Sequence, residues 1–182
     1  MKPIFGLASL MLGLTAMPTL AAEAQCFQSD QFLVIAQERF DEVGTGFIIR
    51  PPARGKIACR YEIGETDLVL SNPGDPLHYE QLIGQYLVLT RSTGPQGDLV
   101  VYDLTRDLYT PLLDVRAEDE IAITDQTVTY WQQLILGTEA NCPDYAANTG
   151  NGLGSMIYEE RILDLASVTV AATGRTRCSS TQ

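Results

Sequence analysis

Four cysteines, all downstream of an apparent export signal, constrain the fold of this chain more than any other feature. Lys2, the apolar residues 4–15 and the small residues that end at Ala22 and Ala24 are typical of a secretory signal peptide. The pattern predicts a signal peptide at residues 1–24, with cleavage after Ala22 or Ala24, in a bacterial protein that is periplasmic or secreted. Thiols pair in such a compartment, so we expect two disulfide bonds.

The positions of the cysteines favour one of their three pairings. Cys26 and Cys59 flank the first group of predicted strands, and Cys142 and Cys178 flank the last group. This arrangement predicts the disulfides Cys26–Cys59 and Cys142–Cys178, which close loops of about 30 to 40 residues. The main alternative joins the chain ends through Cys26 and Cys178, so the sequence alone leaves the pairing open.

A large acidic excess limits the partners of the mature chain. Removal of Lys2 leaves 11 basic residues against 23 acidic ones, a net charge near −12 if cleavage follows Ala22. Such a surface repels phosphate backbones, so we expect no nucleic-acid partner. No apolar run after the signal approaches the ~20 residues that span a bilayer, so we expect no membrane insertion. The charge keeps an exported protein soluble; the alternative is that it docks a cationic protein such as a lysozyme.

The mature chain has few reactive side chains for catalysis. His78 is its one histidine, Lys56 is its one lysine, and no Gly-x-Ser-x-Gly sequence occurs. A zinc site needs several His or Cys ligands, and the cysteines are better explained as disulfides, so we expect no metal and no cofactor. We expect His78, which follows a turn-like sequence of Pro and Gly, to be a surface or turn residue without a catalytic partner. Catalysis is therefore the less favoured explanation.

Short segments rich in β-branched and aromatic residues, separated by turn residues, predict a single all-β domain at residues 25–182. No window with helical periodicity persists, although residues 77–84 and 115–120 are each expected to hold one helical turn. The predicted strands are 31–37, 46–50, 56–63, 67–70, 85–91, 98–104, 109–115, 120–124, 127–136, 156–163 and 167–172.

Three groups of predicted strands repeat with a spacing of about 50 residues, at 32–62, 86–114 and 128–173. Residues 97–104 of the second group, with the sequence Gly-Asp-Leu-Val-Val-Tyr-Asp-Leu, resemble the inner blade strands of β-propellers. The resemblance implies a partial array of three propeller-like sheets, whereas a closed propeller has at least four blades. The strand pattern alone favours antiparallel meander sheets arranged as a sandwich or small barrel.

The longest segment without strand character, residues 141–154, is the first candidate for binding. It is rich in Gly and Asn, so we expect an exposed and mobile tip at 145–153 without regular structure. Tyr145, Asn148 and Asn151 are the predicted binding residues, because recognition loops commonly extend from rigid β scaffolds. An ordinary hairpin excursion is the alternative.

The second candidate is the basic cluster of Arg50, Arg54 and Lys56, with Arg60 nearby. We expect these cations to receive an anionic ligand or partner. The alternative is a solvated hairpin tip that pairs with surface carboxylates.

Two further groups bear on function. Asp114 and the acidic residues 118–120 form a carboxylate cluster, and paired carboxylates perform glycoside hydrolysis; a solvated face is the ordinary alternative. Tyr130 and Trp131 are expected to point to opposite faces of a strand, one into the core and the other as an exposed aromatic platform.

Together these features predict an exported, soluble, disulfide-stabilised β domain that binds a protein or ligand in the cell envelope. An envelope or secreted protein is the expected partner. The alternatives are a carboxylate-dependent, glycosidase-like hydrolase and a purely structural domain.

Overall fold

Eleven β-strands and one short helix make up the regular structure of the residues that the computed structural model describes, 23–94 and 96–182. The predicted signal peptide lies almost wholly outside these residues. The elements are β1 (Gln25–Gln28), β2 (Leu33–Glu38), β3 (Thr45–Arg50), β4 (Leu68–Leu70), β5 (Leu77–Ile83), β6 (Tyr86–Arg91), β7 (Gly97–Asp103), β8 (Leu113–Ile123), β9 (Thr127–Leu136), α1 (Tyr145–Gly150), β10 (Gly154–Asp164) and β11 (Thr169–Thr181). Within the described residues, no helix has the length and apolarity needed to cross a membrane.

Neighbouring strands are antiparallel and follow one another along the chain, so both sheets are meanders. One sheet has four strands, in the order β1-β2-β3-β4, and the other has seven, in the order β11-β10-β9-β8-β7-β6-β5. Strands β5 and β11 remain at opposite edges, so the large sheet does not close. The predicted all-β meander fold is confirmed, and its small-barrel alternative is not formed.

The first hydrophobic core lies between the small sheet and strands β5 to β7 of the large sheet. Val34, Phe47 and Ile49 of the small sheet are buried in one cluster with Leu87 and Leu89 of β6. Because successive side chains of a strand point to opposite faces, these residues mark the facing surfaces of the two sheets. The sheets therefore form a sandwich over this region.

A second core covers the opposite face of β6 and β7, so these strands are buried on both sides. Val88 and Leu99 are fully buried, although they alternate with residues of the first core. Tyr130 of β9 and Leu163 of β10 belong to the same cluster. Because these residues come from the far half of the large sheet, that sheet curls over its own face. Strands buried on both faces have continuous apolar runs rather than alternation.

Residues 51–63 form an irregular strap over the outer face of the small sheet, where a strand was predicted at 56–63. Ile57 and Tyr61 of the strap pack on Ile35 and Ile48 of that face. Among the described residues, no ladder pairs the strap with a strand. The alternation that predicted a strand therefore reflects burial of one side of an extended segment.

The prediction of a helical turn at residues 77–84 is wrong, because this segment forms strand β5. Leu77 faces the first core and Ile83 faces the second, and a hairpin at Gly84 pairs β5 with β6. Gly84 has a φ of +54°, which glycine adopts without the steric cost of a Cβ atom. Ladder pairing and burial thus override the turn-like composition.

Strand β8 replaces two predicted strands and the helical turn between them. Residues 109–112 are irregular, and 113–123 form one strand because a bulge absorbs the residues between its two ladders. Strand β1 was not predicted, since its four residues are too few to show a pattern.

Both disulfides attach peripheral segments to the sheets. Cys26–Cys59 joins β1 to the strap, and Cys142–Cys178 joins the loop before α1 to β11, with Cα–Cα distances of 5.7 and 5.4 Å. These are the pairs that the sequence predicts. The cysteines lie outside the two main cores, so apolar packing holds the sheets together.

The three predicted repeat units do not form separate sheets. The unit at 32–62 supplies β2 and β3 to the small sheet, but its third predicted strand is the strap. The units at 86–114 and 128–173 both belong to the large sheet. The sandwich describes the structure better than a propeller-like array.

Candidate functional site

A β-bulge in β8 places three acidic residues opposite Trp131 of β9. The ladder between the two strands shifts register between Ala117 and Ile121. Residues 118–120, which are Glu, Asp and Glu, lie in this interruption. Bulges redirect side chains and are common beside binding and active sites.

Trp131 is the floor of a network of charged side chains beside the bulge. The guanidinium carbon of Arg177 lies 4.1 Å from the centroid of the Trp131 ring, and that of Arg175 lies 5.5 Å from it. Arg177 also donates hydrogen bonds to Glu118 and, at 2.5 Å, to Glu120 Oε2. An aromatic face and two carboxylates therefore hold one cation.

The exposed aromatic platform predicted for Tyr130 or Trp131 is wrong. The two side chains lie in different clusters, as expected for opposite faces, but Tyr130 is fully buried and Trp131 is only 7% exposed. Arg175 and Arg177 stack on the Trp131 ring. Burial raises the pKa of Tyr130, although the charge of Arg161 opposes this shift.

A second bulge, in the edge strand β11, positions Arg175. Gly174 has a φ of +82°, a conformation that favours glycine, and the ladder with β10 shifts register at this point. Arg175 Nη1 donates to Glu160 Oε1 at 2.7 Å, and Thr173 Oγ1 donates to Glu160 Oε2 at 2.9 Å. The buried carboxylate of Glu160 is thereby neutralised and hydrogen-bonded.

Two cavities flank the β8 bulge and share Glu118 and Asp119 as lining residues. One has a volume of about 160 Å³ and lies toward β5 to β7, and the other has a volume of about 320 Å³ and lies toward β10 and β11. We name the two cavities together the bulge groove. Its charged lining residues are Glu80, Asp98, Glu118, Asp119, Glu120 and Arg177.

The bulge groove keeps an excess of negative charge beside its internal ion pairs. Among the described residues, Glu80 and Asp119 form no ion pair, and Glu80 only accepts a hydrogen bond from Thr90 Oγ1 at 2.9 Å. The sequence around the groove has the same bias, because residues 117–160 contain eight acidic residues and no basic one. This part of the surface favours cationic partners.

Beside the bulge, strands β9 to β11 extend past the end of the β8–β9 ladder. We name this extension the ribbon end; it comprises residues 133–136, 154–157 and 178–181. Leu134, Ile135 and Leu136 are 42%, 59% and 69% exposed. Leu134 lies in a bulge of the β9–β10 ladder, and together the three side chains form an exposed apolar run.

The predicted binding loop leaves the ribbon end and returns to it, but its tip is not irregular. Residues 145–150 form helix α1, with Tyr145 half-buried. Asn148 Nδ2 donates to Ser155 Oγ at 2.9 Å, and the Asn151 N–H closes the last helical turn. Local hydrogen bonds and the Cys142 disulfide thus give order that Gly and Asn content did not predict. The roles of Tyr145, Asn148 and Asn151 in binding stay a prediction.

The predicted basic cluster divides into a structural arginine and exposed cations. Arg50 Nη2 donates to Asp67 Oδ2 at 2.5 Å and to the Glu62 carbonyl at 2.9 Å, and so fixes the end of the strap. Arg54 and Lys56 are exposed on the strap, and neither forms an ion pair with a described residue. Their binding role stays a prediction, and they belong to the small sheet rather than to the bulge groove.

The predicted carboxylate cluster is divided between two arginines. Asp114 Oδ1 accepts a 2.7 Å hydrogen bond from Arg91, which also binds Asp75 and Asp98 and whose pKa these carboxylates raise. Glu118 and Glu120 of the bulge bind Arg177 instead, and Asp119 forms no ion pair with a described residue. Carboxylates that are committed to guanidinium groups do not form the free pair that glycoside hydrolysis uses.

His78 lies on β5, and not in a turn. Its Nε2 is 3.2 Å from the Ser92 carbonyl oxygen. It lines a cavity of about 400 Å³ at one end of the sandwich, together with Glu23, Glu38 and Tyr79. In the described part of the chain, no three His, Cys, Asp or Glu side chains lie close enough to hold a metal ion.

Comparisons with protein-family models, with curated proteins and with solved structures found no match to this chain. Its own geometry defines a disulfide-linked β-sandwich with an acidic groove beside an apolar ribbon end.

Sequence reasoning missed two parts of this surface. Nothing in the sequence marks Arg175 and Arg177 as site residues, because their position over Trp131 depends on the β10–β11 register. Leu134, Ile135 and Leu136 are recognisable in the sequence as three consecutive apolar residues at the end of a predicted strand.

Proposed function

We propose that this protein is an exported domain that binds a protein partner in the cell envelope through the ribbon end and the bulge groove. The exposed run of Leu134, Ile135 and Leu136 is the observation that carries the proposal. Exposed contiguous apolar groups beside polar residues are typical of interaction sites. A strand end of this kind, left uncovered, is also an aggregation hazard.

The disulfides and the N-terminal sequence support an exported protein. All four cysteines of the chain are paired, and paired cysteines are stable in oxidising compartments such as the periplasm. The apparent signal peptide at residues 1–24 gives the same indication.

Binding is favoured over hydrolysis by the state of the candidate catalytic groups. The carboxylates of Glu118 and Glu120 hold Arg177, and that of Asp114 holds Arg91. The same groups shape a charged groove, which is what recognition of a charged partner requires.

Site-specific photo-crosslinking in the native host tests the proposal. A photoreactive benzoylphenylalanine replaces Ile135 in one variant, Val170 in a second and Val69 in a third. Val170 and Val69 are exposed on the edge strands β11 and β4, at 41% and 40%, and serve as matched controls. We expect position 135 to give a discrete crosslinked protein that the controls do not give.

The alternatives predict other patterns. Crosslinks from all three positions would show nonspecific contact, and a crosslink from position 69 alone would assign binding to the small sheet. No crosslink from any position would favour a purely structural domain. Each of these results contradicts the proposal.

A further inference from the structure

The free side of β9 at the ribbon end offers main-chain hydrogen-bonding groups to another strand. The β8–β9 ladder ends at Ala117 and Gln132, and the ladder partners of residues 133, 135 and 136 lie in β10 alone, while Leu134 is the extra residue of a bulge in that ladder. Strand β8 continues instead along β7. In an antiparallel strand, main-chain groups that are not bonded to one neighbour point to the other side, so part of this segment directs its groups to the open side.

The charge around this open side determines whether an acidic or a basic segment can bind there. Asp119 and Glu120 of the bulge are exposed, and Glu139 and Asp144 follow the apolar run in the sequence. Arg116, before the end of the β8–β9 ladder, is an exposed cation in the same region, so the acidic groups outnumber it. A second copy of this chain would bring acidic surface against acidic surface, which is destabilising. A basic segment would neutralise the same groups.

Arg177 illustrates the chemistry that the groove accepts. Its guanidinium lies over Trp131 and between Glu118 and Glu120. The chain's own arginine thus shows that the acidic and aromatic lining binds a cation, and Asp119 and Glu80 remain for cations from outside.

We propose that the partner presents an extended segment with alternating apolar and Arg or Lys side chains, and that this segment adds as a strand to residues 133–136. The proposal rests on the proposed function and specifies the partner's chemistry. Main-chain hydrogen bonds to the free side of β9 supply affinity, and the alternating side chains supply specificity. The apolar side chains pack on the exposed run of Leu134, Ile135 and Leu136, and the basic ones face the bulge groove.

Four fluorescein-labelled octapeptide probes test this inference with the mature, oxidised domain. They are an Arg-Val repeat, a Glu-Val repeat, an Arg-Gly repeat, and the Arg-Val repeat with N-methylated alternate amides. Fluorescence anisotropy measures their binding. We expect only the unmodified Arg-Val probe to bind well, and we expect at least tenfold weaker binding in 0.5 M salt, because screening removes the attraction between exposed charges.

Matched variants show where on the surface of the domain the probe binds. Ile135→Lys and Asp119→Asn are each expected to weaken binding at least tenfold. Val170→Lys and Asp125→Asn change the net charge by the same amounts at other exposed positions, and are expected to change binding less than twofold. Thermal unfolding shows whether all four variants are folded.

Each other outcome overturns the inference in a recognisable way. Equal binding of the N-methylated probe excludes strand addition, and equal binding of the Arg-Gly probe excludes an apolar contribution. No probe binding, with a dimer that Ile135→Lys dissociates in sedimentation, would assign the ribbon end to a second copy. If no probe binds while position 135 still crosslinks a protein in cells, the partner chemistry is wrong and the proposed function stands.

Discussion

Replacement of Arg177 by Met tests the network over Trp131, because Met keeps apolar cover on the ring and removes the cation. The stacked guanidinium contributes about 1–2 kcal/mol over a mostly buried ring. The hydrogen-bonded ion pair with Glu118 contributes roughly 1–2 kcal/mol, since the Glu118 side chain is only 15% exposed. The pair with Glu120, which is 70% exposed, contributes at most about 0.5 kcal/mol. Arg177→Met should therefore lower the free energy of unfolding by about 2–4 kcal/mol.

Double-mutant cycles separate the two carboxylates. Arg177→Met is combined with Glu118→Gln and, separately, with Glu120→Gln, and urea unfolding gives each free energy. The coupling energy should be about 1–2 kcal/mol with Glu118 and below about 0.5 kcal/mol with Glu120. In 1 M salt, the coupling with Glu120 should vanish and that with Glu118 should persist, because buried pairs are screened less.

Arg116→Met is the control, because Arg116 is exposed and forms no ion pair with a described residue. It should change the free energy of unfolding by less than about 0.5 kcal/mol. The reasoning is refuted if Arg177→Met costs less than about 1 kcal/mol, or if Glu120 couples as strongly as Glu118.

Three other results are expected from urea or thermal unfolding. Replacing Cys142 and Cys178 by Ala should cost roughly 4 kcal/mol and about 8–16 °C in Tm; a shift under 3 °C would contradict this. Tyr130→Phe should cost nothing, because the buried hydroxyl has no hydrogen-bond partner among the described residues. Since burial raises the pKa of Tyr130, wild-type stability should fall above pH ~10 more than that of the variant. Deleting residues 147–152 should lower the free energy of unfolding by only about 1 kcal/mol, because α1 buries no residue. A loss above about 3 kcal/mol would show that the loop stabilises the fold.

The strands that the sequence predicts well are those whose local pattern and tertiary role agree. Val100 and Val101 of β7 face different cores, and both belong to a continuous apolar run that ends at turn residues. The strap shows the opposite case. Ile57 and Tyr61 alternate with polar residues as in a strand, yet a disulfide and one-sided burial, rather than a ladder, hold them. Nothing local distinguishes these two situations.

The candidate surface was only partly predictable, because it depends on register. The loop at 141–154, for which the sequence predicts binding, adjoins the ribbon end, and its role in binding stays a prediction. The bulge groove needs the two-residue slip between Ala117 and Ile121, and no residue type marks such a slip. The placement of Arg177 over Trp131 needs in addition the pairing of β10 with β11. Contacts that span two ladders cannot be read from one segment.

The meander topology has a consequence for how the chain folds. Every ladder of the two sheets joins strands that are consecutive in the sequence. Each strand therefore pairs with a neighbour in the chain, and the loop-closure entropy of each pairing is small. Each hairpin provides the edge on which the next strand assembles, from either end of the chain. We therefore expect both sheets to form before the cysteines are oxidised, with the disulfides closing last over a scaffold that already exists.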